Sequence, residues 1–450
     1  MLILVIYGYI KLVIGAKFIT ILQILPIMQK IYVHTHGCSN NFHEGEAMAG
    51  LLKKAGYCMV RKPSDADIII LNICTVKGDH QAVRSLKDIK KLYNARIIIA
   101  GCITNTTKKA LRQLNPSLSF INTHNIDKIV DVVESVIEGD TVEALESSRI
   151  KKINIPKIRI NPVINIVPIS NGCTSVCTYC SVKLIKGHVQ SYAIKDICEE
   201  VKQSIKEDVK EIYLTSQDTG AYGLDKKDST ELPDLLKILT QIPGDFKIRV
   251  GMTSPNHTHR HLKQLINAYK DSKIYKFLHI PIQSGNSDIL KAMKRPYSVE
   301  QYKECIKKFK EQFPDITIAT DIIVGFPGET EEAFQDTLNL IEQTMPDVIN
   351  ISRFAPRPNT LAANMKQVST NTAKQRSIKI TELYKKVAKQ QNTNWKNWHG
   401  KILINEKGKD DTMIGRNYAY KPVIVKGNHS LGDEIEIKIK TTTTYDLRAF

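Results

Sequence analysis

From Gln29 onward, short β-branched runs alternate with longer amphipathic stretches, a pattern that predicts parallel α/β architecture. The first unit is Lys30-Ile-Tyr-Val-His34 as a strand, then Gly37-Cys38 and a helix over 44–55. The second is a strand over 67–73 closed by Cys74, with a helix over 81–93. The third is Arg96-Ile-Ile-Ile-Ala100 followed by Gly101-Cys102, and a fourth strand is expected over 118–122 with a helix over 126–138. Residues 143–161 are rich in charge and serine and precede Pro162, so a linker is placed at 142–161.

A second series of strands then begins. Strands are expected over 164–169, 211–214, 247–250, 277–280, 316–324 and 348–351, with helices between them, for example 194–207 and 299–312. Six such units make an open, partial (β/α) barrel, and their polar residues fall just after the strands, where barrel enzymes keep their active sites. A lysine-rich helix over 373–390 follows. Beyond it, short strands over 401–406, 422–426 and 434–440 with turns at Gly408, Gly427 and Gly432 read as a small all-β module.

The start of the chain has a different texture. Residues 1–27 are apolar apart from Lys11, Lys17, Thr20 and Gln23. The two lysines interrupt the roughly 20 apolar residues that a membrane span needs, and no basic start or small-residue cleavage site marks a signal peptide. Met28 stands just before the first strand, so translation is expected to start there; the alternative is a weak membrane anchor.

Three successive strands of the first series end in a cysteine. In an open parallel sheet, the loops beyond the carboxyl ends of the strands converge on ligands. Cys38, Cys74 and Cys102 can therefore meet although they stand far apart in the chain, and three thiolates at one point suit an iron–sulfur cluster or another soft metal. Three unrelated buried cysteines are the alternative. Nine cysteines in 450 residues, an odd and scattered set, speak against a disulfide framework and for a reducing, cytoplasmic compartment. Cys58, Cys198 and Cys305 have no partner nearby in sequence and read as small buried hydrophobes.

Charge adds a partner class. Lys and Arg number 64 against 46 Asp and Glu, a formal net charge of +18. Such an excess suits a polyanion, because neutralised phosphates release counterions; a lysine-rich but merely soluble surface is the bland alternative. The stretch 373–400 carries seven basic residues against one acidic and also Trp395 and Trp398, while Tyr418 and Tyr420 lie in the β module. Basic groups beside aromatics suit single-stranded or looped RNA, whose bases can stack. A module that packs on the barrel and touches no ligand is the competing reading.

The decisive motif is Cys173-Thr-Ser-Val-Cys177-Thr-Tyr-Cys180, placed after the first barrel strand. Three thiolates on a four-iron cluster leave one iron open, and that iron can chelate the amino and carboxylate groups of S-adenosylmethionine. Reductive cleavage of the sulfonium then yields a radical, chemistry that belongs to the cofactor while the protein positions it. Structural zinc wants four protein ligands, and only His188 offers itself nearby.

This loop resembles the radical S-adenosylmethionine (radical SAM) superfamily, and further motifs narrow the resemblance to the methylthiotransferases. They are Gly37-Cys38 with Asn41 and Glu46, Asn72-Ile-Cys74-Thr-Val76, Ala100-Gly-Cys102, Asn171-Gly-Cys173 through Tyr192, Pro281-Ile-Gln-Ser-Gly285, Met293-Lys-Arg295 and Asp321-Ile-Ile-Val-Gly-Phe-Pro-Gly-Glu329. Gly415-Arg-Asn-Tyr418 resembles the TRAM domain of that family, and Leu214-Thr-Ser-Gln-Asp-Thr-Gly-Ala-Tyr222 is similar to the archaeal and eukaryotic branch acting on N6-threonylcarbamoyladenosine at tRNA position 37.

The resemblance implies a fold of class α/β with a flavodoxin-like parallel-sheet domain (29–141), a partial (β/α)6 radical SAM barrel (162–385) and a small all-β TRAM barrel (386–450). It implies transfer of a methylthio group to C2 of the adenine, with two 4Fe-4S clusters and S-adenosyl-L-methionine as cofactors. Cys173, Cys177 and Cys180 would hold one cluster, and Cys38, Cys74 and Cys102 the other. Tyr179 would lie by the adenine of the cofactor, with Gln217, Asp218, Arg249 and Gln283 as candidates for its polar groups or as ordinary strand-end residues. The implied partners are the tRNA anticodon loop, an electron donor such as ferredoxin or flavodoxin, and a sulfur donor. Lys186 departs from the usual arginine, and Glu44-Gly45 from the usual Asp-Ser. A sister activity on N6-isopentenyladenosine or on a ribosomal-protein aspartate, and a non-catalytic RNA-binding protein with structural metal, are the alternatives.

Overall fold

In the computed structural model, the structure describes residues 29–74, 79–148, 150–228 and 230–450, with the strands Leu2–Ile6, Tyr9–Ile14 and Lys17–Gln23 before them. Those three strands pair in sequence as an antiparallel sheet. The expected start at Met28 lies outside the described residues, as do Thr75 and Val76. Among the described residues, no helix is long and apolar enough to cross a membrane. Two compact units divide the chain. One is Met1–His36, Glu44–Ile150 and Ile155–Ile158; the other is Gly37–His43, Lys151–Asn154 and Arg159–Phe450.

The first unit is built on a six-stranded parallel sheet. Its order is Cys58–Met59, Lys30–Thr35, Ile68–Ile73, Arg96–Gly101, Ser119–Asn122 and Glu143–Ala144. The second strand in the chain lies outside the first, which is the flavodoxin-like order and puts a reversal between Lys30–Thr35 and Ile68–Ile73. Ile68 and Ile70 pack into one apolar cluster while Ile69, Leu71 and Ile73 pack into another. Alternate side chains thus feed both covered faces, the reason this strand reads as an unbroken apolar run.

The expected linker is partly folded. Glu143–Ala144 adds the sixth strand, because the Glu143 carboxylate meets Lys108 and Arg112 at 2.9 and 2.6 Å. The side-chain amides of Asn122 and Asn125 donate to the carbonyls of Leu145 and Glu146, each at 2.6 to 2.7 Å. Charge and serine hid a segment whose anchoring is polar.

The second unit holds the partial barrel. Ile164–Pro168, Glu211–Thr215 and Lys247–Val250 form one parallel sheet, and Phe277–His279, Thr317–Val324 and Val348–Arg353 another. The two meet where Lys273–Tyr275 hydrogen-bonds with Ile248 and bridges Ile248 to Ile274. Ile212, Leu214, Ile248 and Val250 join the main core, while Tyr213 and Arg249, paired across the strands, share the other face.

Within this unit the C-terminal module packs on the barrel. Six strands make its sheet, mostly antiparallel, in the order Glu434–Lys438, His399–Lys407, Thr412–Arg416, Pro422–Lys426, Leu447–Arg448 and Thr441–Thr442. The helix Thr370–Thr393 leads into it and runs unbroken through position 385. Tyr420 donates through its hydroxyl to Glu211 at 2.7 Å and packs on Tyr275, Phe277 and Arg249. Trp395 is buried and lies against Trp398 and Tyr418. Of the four aromatics expected to stack on RNA, Tyr420 and Trp395 are therefore spent on packing, and Tyr418 is the exposed one.

Candidate active site

The first barrel strand, Ile164–Pro168, runs into Ser170–Asn171, which pairs with Gln190–Ser191 and so brackets the cysteine loop. Gly172 opens the loop at a φ of +82°, and a Cβ there would stand 2.1 Å from the carbonyl oxygen of His188. Only glycine suits this turn. The Gly172 amide donates to Gln217 Oε1 at 2.6 Å, and the Cys173 amide to the Gly187 carbonyl at 3.2 Å. Further along, Thr178 donates from its amide to Met293 and from its hydroxyl to Ala292, while its own carbonyl accepts from Ala362. Tyr179 packs on Ile289, Met293, Phe326 and Ala362. The loop is held at its start, through Gly172 and Cys173, and again at Thr178.

Cys173, Cys177 and Cys180 are half-buried free thiols on that loop. Burial pushes the Cys173 thiol up, with a further push from the charge of Asp218 and an opposing hydrogen bond from Ser175. Burial likewise pushes Cys180 up, against hydrogen bonds from the Lys183 and Val182 amides. Protons held on these thiols must leave when a metal group binds.

The donor set suits an iron–sulfur group with one protein ligand missing. Three sulfurs come from a single loop, and the groups around them are polar and charged. Arg295 is a cation in direct contact with one of these sulfurs. Its Nη1 donates to Cys177 Sγ at 2.9 Å, Nη2 to Ser254 Oγ at 3.2 Å and Nε to Tyr297 Oη at 2.7 Å. Tyr297 in turn donates to the carbonyls of Pro281 and Ile282. Sequence reasoning gave Arg295 no role; the signal available was its place in Met293-Lys-Arg295, two residues before a tyrosine.

Of the four polar candidates, Gln217 supports the loop through Gly172. Asp218 is fully enclosed and accepts from the amides of Gly220 and Ser254, each at 3.1 Å, with His257 Nε2 3.7 Å away. Burial pushes the Asp218 carboxyl up, against the opposing charges of His257 and Arg295 and the amide of Ser254. Burial lowers His257, with Asp218 pulling the other way. Gln283 holds a φ of +73° while bridging to Ile322, a strained conformation of the kind found where structure over-determines a site. Arg249 is boxed by aromatic rings. Its guanidinium lies 3.9 Å from the Tyr213 ring centroid, 4.7 Å from that of Phe277 and 5.1 Å from that of Tyr420, a box that includes the C-terminal module.

Cys38 opens the helix Ser39–Lys54 and is exposed. Ser39 beside it shares a 2.5 Å hydrogen bond with Thr215 at the carboxyl end of a barrel strand, and His43 bonds to the Lys152 and Ile166 carbonyls. In the sheet unit, Cys74 and Cys102 follow neighbouring parallel strands, and the Cys102 amide donates to the Ile73 carbonyl at 3.1 Å. Gly101 permits that approach: a Cβ there would lie 2.4 Å from the Ile73 oxygen. Cys305 is buried as expected, while Cys58 and Cys198 are half-buried.

Comparison with known proteins fits this layout. Residues 167–341 match the radical SAM superfamily, 30–122 the uncharacterized protein family UPF0004, and 401–449 the TRAM domain. A probable threonylcarbamoyladenosine tRNA methylthiotransferase of Pyrococcus abyssi is 38% identical over 422 residues, covering 92% of this chain and 98% of that protein. The human threonylcarbamoyladenosine tRNA methylthiotransferase is 38% identical over 435 residues, covering 92% of this chain and 72% of that protein. Among solved structures, a radical S-adenosylmethionine methyltransferase from Kitasatospora setae shares the fold at a TM-score of 0.53 and 12% identity, over 74% of this chain and 75% of that one. With three domain matches in chain order and relatives aligned over nearly its whole length, the chain belongs to the threonylcarbamoyladenosine tRNA methylthiotransferase family.

Proposed function

We propose that this protein methylthiolates C2 of N6-threonylcarbamoyladenosine at position 37 of tRNA, in the cytoplasm, by radical SAM chemistry. The observation that carries the reading is the loop of Cys173, Cys177 and Cys180 at the carboxyl end of the first barrel strand, in a chain of this family. These three thiols are the ligands of one 4Fe-4S cluster. Cys38, Cys74 and Cys102, each following a strand of one parallel sheet in the chain, are the ligands of a second.

With S-adenosyl-L-methionine, the loop cluster supplies hydrogen-atom abstraction and the second cluster supplies sulfur. The chain itself binds, orients and excludes water. Gln217, Gly187 and Met293 anchor the backbone of the cysteine loop at Gly172, Cys173 and Thr178. Tyr179 offers an apolar face, backed by Phe326, for the adenine of the cofactor. Asp218 and Gln283 are the polar groups assigned to the cofactor, whereas Arg249 is assigned to the joint between barrel and C-terminal module. The TRAM domain and the basic helix before it carry the tRNA. A low-potential protein such as ferredoxin or flavodoxin is the electron donor, and a separate sulfur donor is the remaining partner.

Nucleoside mass analysis of tRNA tests the activity directly. A host lacking its own enzyme should gain 2-methylthio-N6-threonylcarbamoyladenosine when it expresses this chain. A mass shift on N6-isopentenyladenosine, or on a ribosomal protein instead, would assign the sister activity. Cys177→Ala should abolish cleavage of S-adenosylmethionine, while Cys74→Ala should leave cleavage intact and abolish sulfur insertion. Full methylthiolation by Cys74→Ala would remove the second cluster from the scheme.

A further inference from the structure

The bond from Arg295 to Cys177 concerns the very sulfur assigned to the loop cluster. Arg295 follows Lys294, whose φ of +53° turns the chain back after the helix Ser287–Ala292, and the Arg295 amide closes that turn on Leu290. Each of three guanidinium nitrogens then has a different partner: Cys177 Sγ, Ser254 Oγ and Tyr297 Oη. Tyr297 is itself fixed by two carbonyls. The cation is therefore aimed, not merely nearby, and a guanidinium keeps its charge at any working pH. Asp218, a buried carboxylate on which the Arg295 charge acts, accepts from the Gly220 and Ser254 amides.

We infer that Arg295 is a positioning residue that sets the reduction potential of the loop cluster through an N–H···S hydrogen bond to Cys177. The inference rests on the proposal that Cys173, Cys177 and Cys180 hold that cluster. Reduction adds one electron from a low-potential one-electron donor, places one more negative charge on the cluster and its sulfurs, and makes or breaks no bond. A hydrogen bond donated by a cation strengthens as its acceptor gains negative charge, and hydrogen bonds to the sulfurs are among the levers that set cluster potentials. Arg295 thus favours the reduced form, the form that must exist before S-adenosylmethionine can be cleaved.

The test uses the full chain carrying Cys38→Ala, Cys74→Ala and Cys102→Ala, loaded anaerobically with iron and sulfide, so that the loop alone can form a cluster. Iron per chain, melting temperature and an electron paramagnetic resonance titration with dithionite are measured for this parent and for Arg295→Gln and Arg295→Lys. About four irons per chain are expected in all three. At one fixed applied potential the reduced-to-oxidised ratio should fall about tenfold in Arg295→Gln. It should fall less in Arg295→Lys, whose single ammonium keeps the charge but cannot serve three partners at once.

Loaded variants that titrate with the parent would overturn the inference and leave the ligand assignment standing. A parent that takes up no iron would overturn the ligand assignment itself. If Arg295→Gln alone refuses iron, Arg295→Lys decides by whether its potential moves. If both refuse iron while melting like the parent, Arg295 serves cluster retention, and the inference about potential fails.

Discussion

Lys276 illustrates how a single side chain ties stability to pH. Its ammonium donates to the carbonyls of Asp271 and Ile274 at 2.8 and 2.9 Å, and burial lowers its pKa to about 8 from an ordinary 10.5. Between those values the folded chain holds fewer protons on Lys276 than the unfolded chain does, so stability rises with pH across that window. Below about pH 8 the cost of enclosing the charge is present in full. Urea midpoints at about pH 7 and about pH 10 should therefore rise less between the two for Lys276→Met than for the parent chain. An identical rise in both would remove Lys276 as the source. At this scale the spacing alone marked the three loop cysteines as a candidate ligand set. Arg295 was not marked, because its contact to Cys177 crosses 118 positions. Gln217 was readable as a strand-end polar residue, but only the fold shows its amide oxygen on Gly172.

Between elements, a buried ion pair fastens the C-terminal module. Lys421 Nζ lies 2.6 Å from Asp347 Oδ1 and also donates to Asn392 Oδ1 at 2.8 Å, while Asp347 Oδ2 accepts from the Ile318 amide. One link each thus comes from the β module, the loop before the last barrel strand and the helix Thr370–Thr393. Lys421→Met leaves Asp347 enclosed without its cation and should cost about 3 kcal/mol of stability. Lys421→Met combined with Asp347→Asn should recover part of that loss, and equilibrium unfolding of the single and double variants measures both. Element positions were legible from pattern: the helix Val299–Gln312 and the strands Lys247–Val250 and Pro422–Lys426 have the expected bounds. The strand Glu143–Ala144 was missed because what holds it is side-chain hydrogen bonding from Asn122, Asn125, Lys108 and Arg112, which leaves no apolar period in the sequence.

For the molecule as a whole, part of the positive charge lies on one helix face. Lys385, Lys386 and Lys389 are exposed on the helix that leads into the TRAM domain. If that helix carries tRNA phosphates, changing these three lysines to glutamine should weaken binding at low salt. The slope of log affinity against log salt should also become shallower by about two. Unchanged affinity and slope would move the footprint elsewhere. Tyr418 is exposed beside Trp398, with its hydroxyl donating to Asp315, so Tyr418→Ala is the variant that tests base stacking by this module.

What the sequence determined by itself was periodicity and local chemistry: two series of strand and helix, a closing β module, and three thiols within eight residues. Those follow from short-range rules, because side-chain alternation and loop spacing need no distant partner. Only the tertiary structure decided which charges and rings do which work. It set Arg249 among Tyr213, Phe277 and Tyr420, Arg295 on Cys177, and Lys421 on Asp347. Each of these joins residues tens to hundreds of positions apart, and a polar side chain carries no mark of its partner until burial makes an unpaired charge costly.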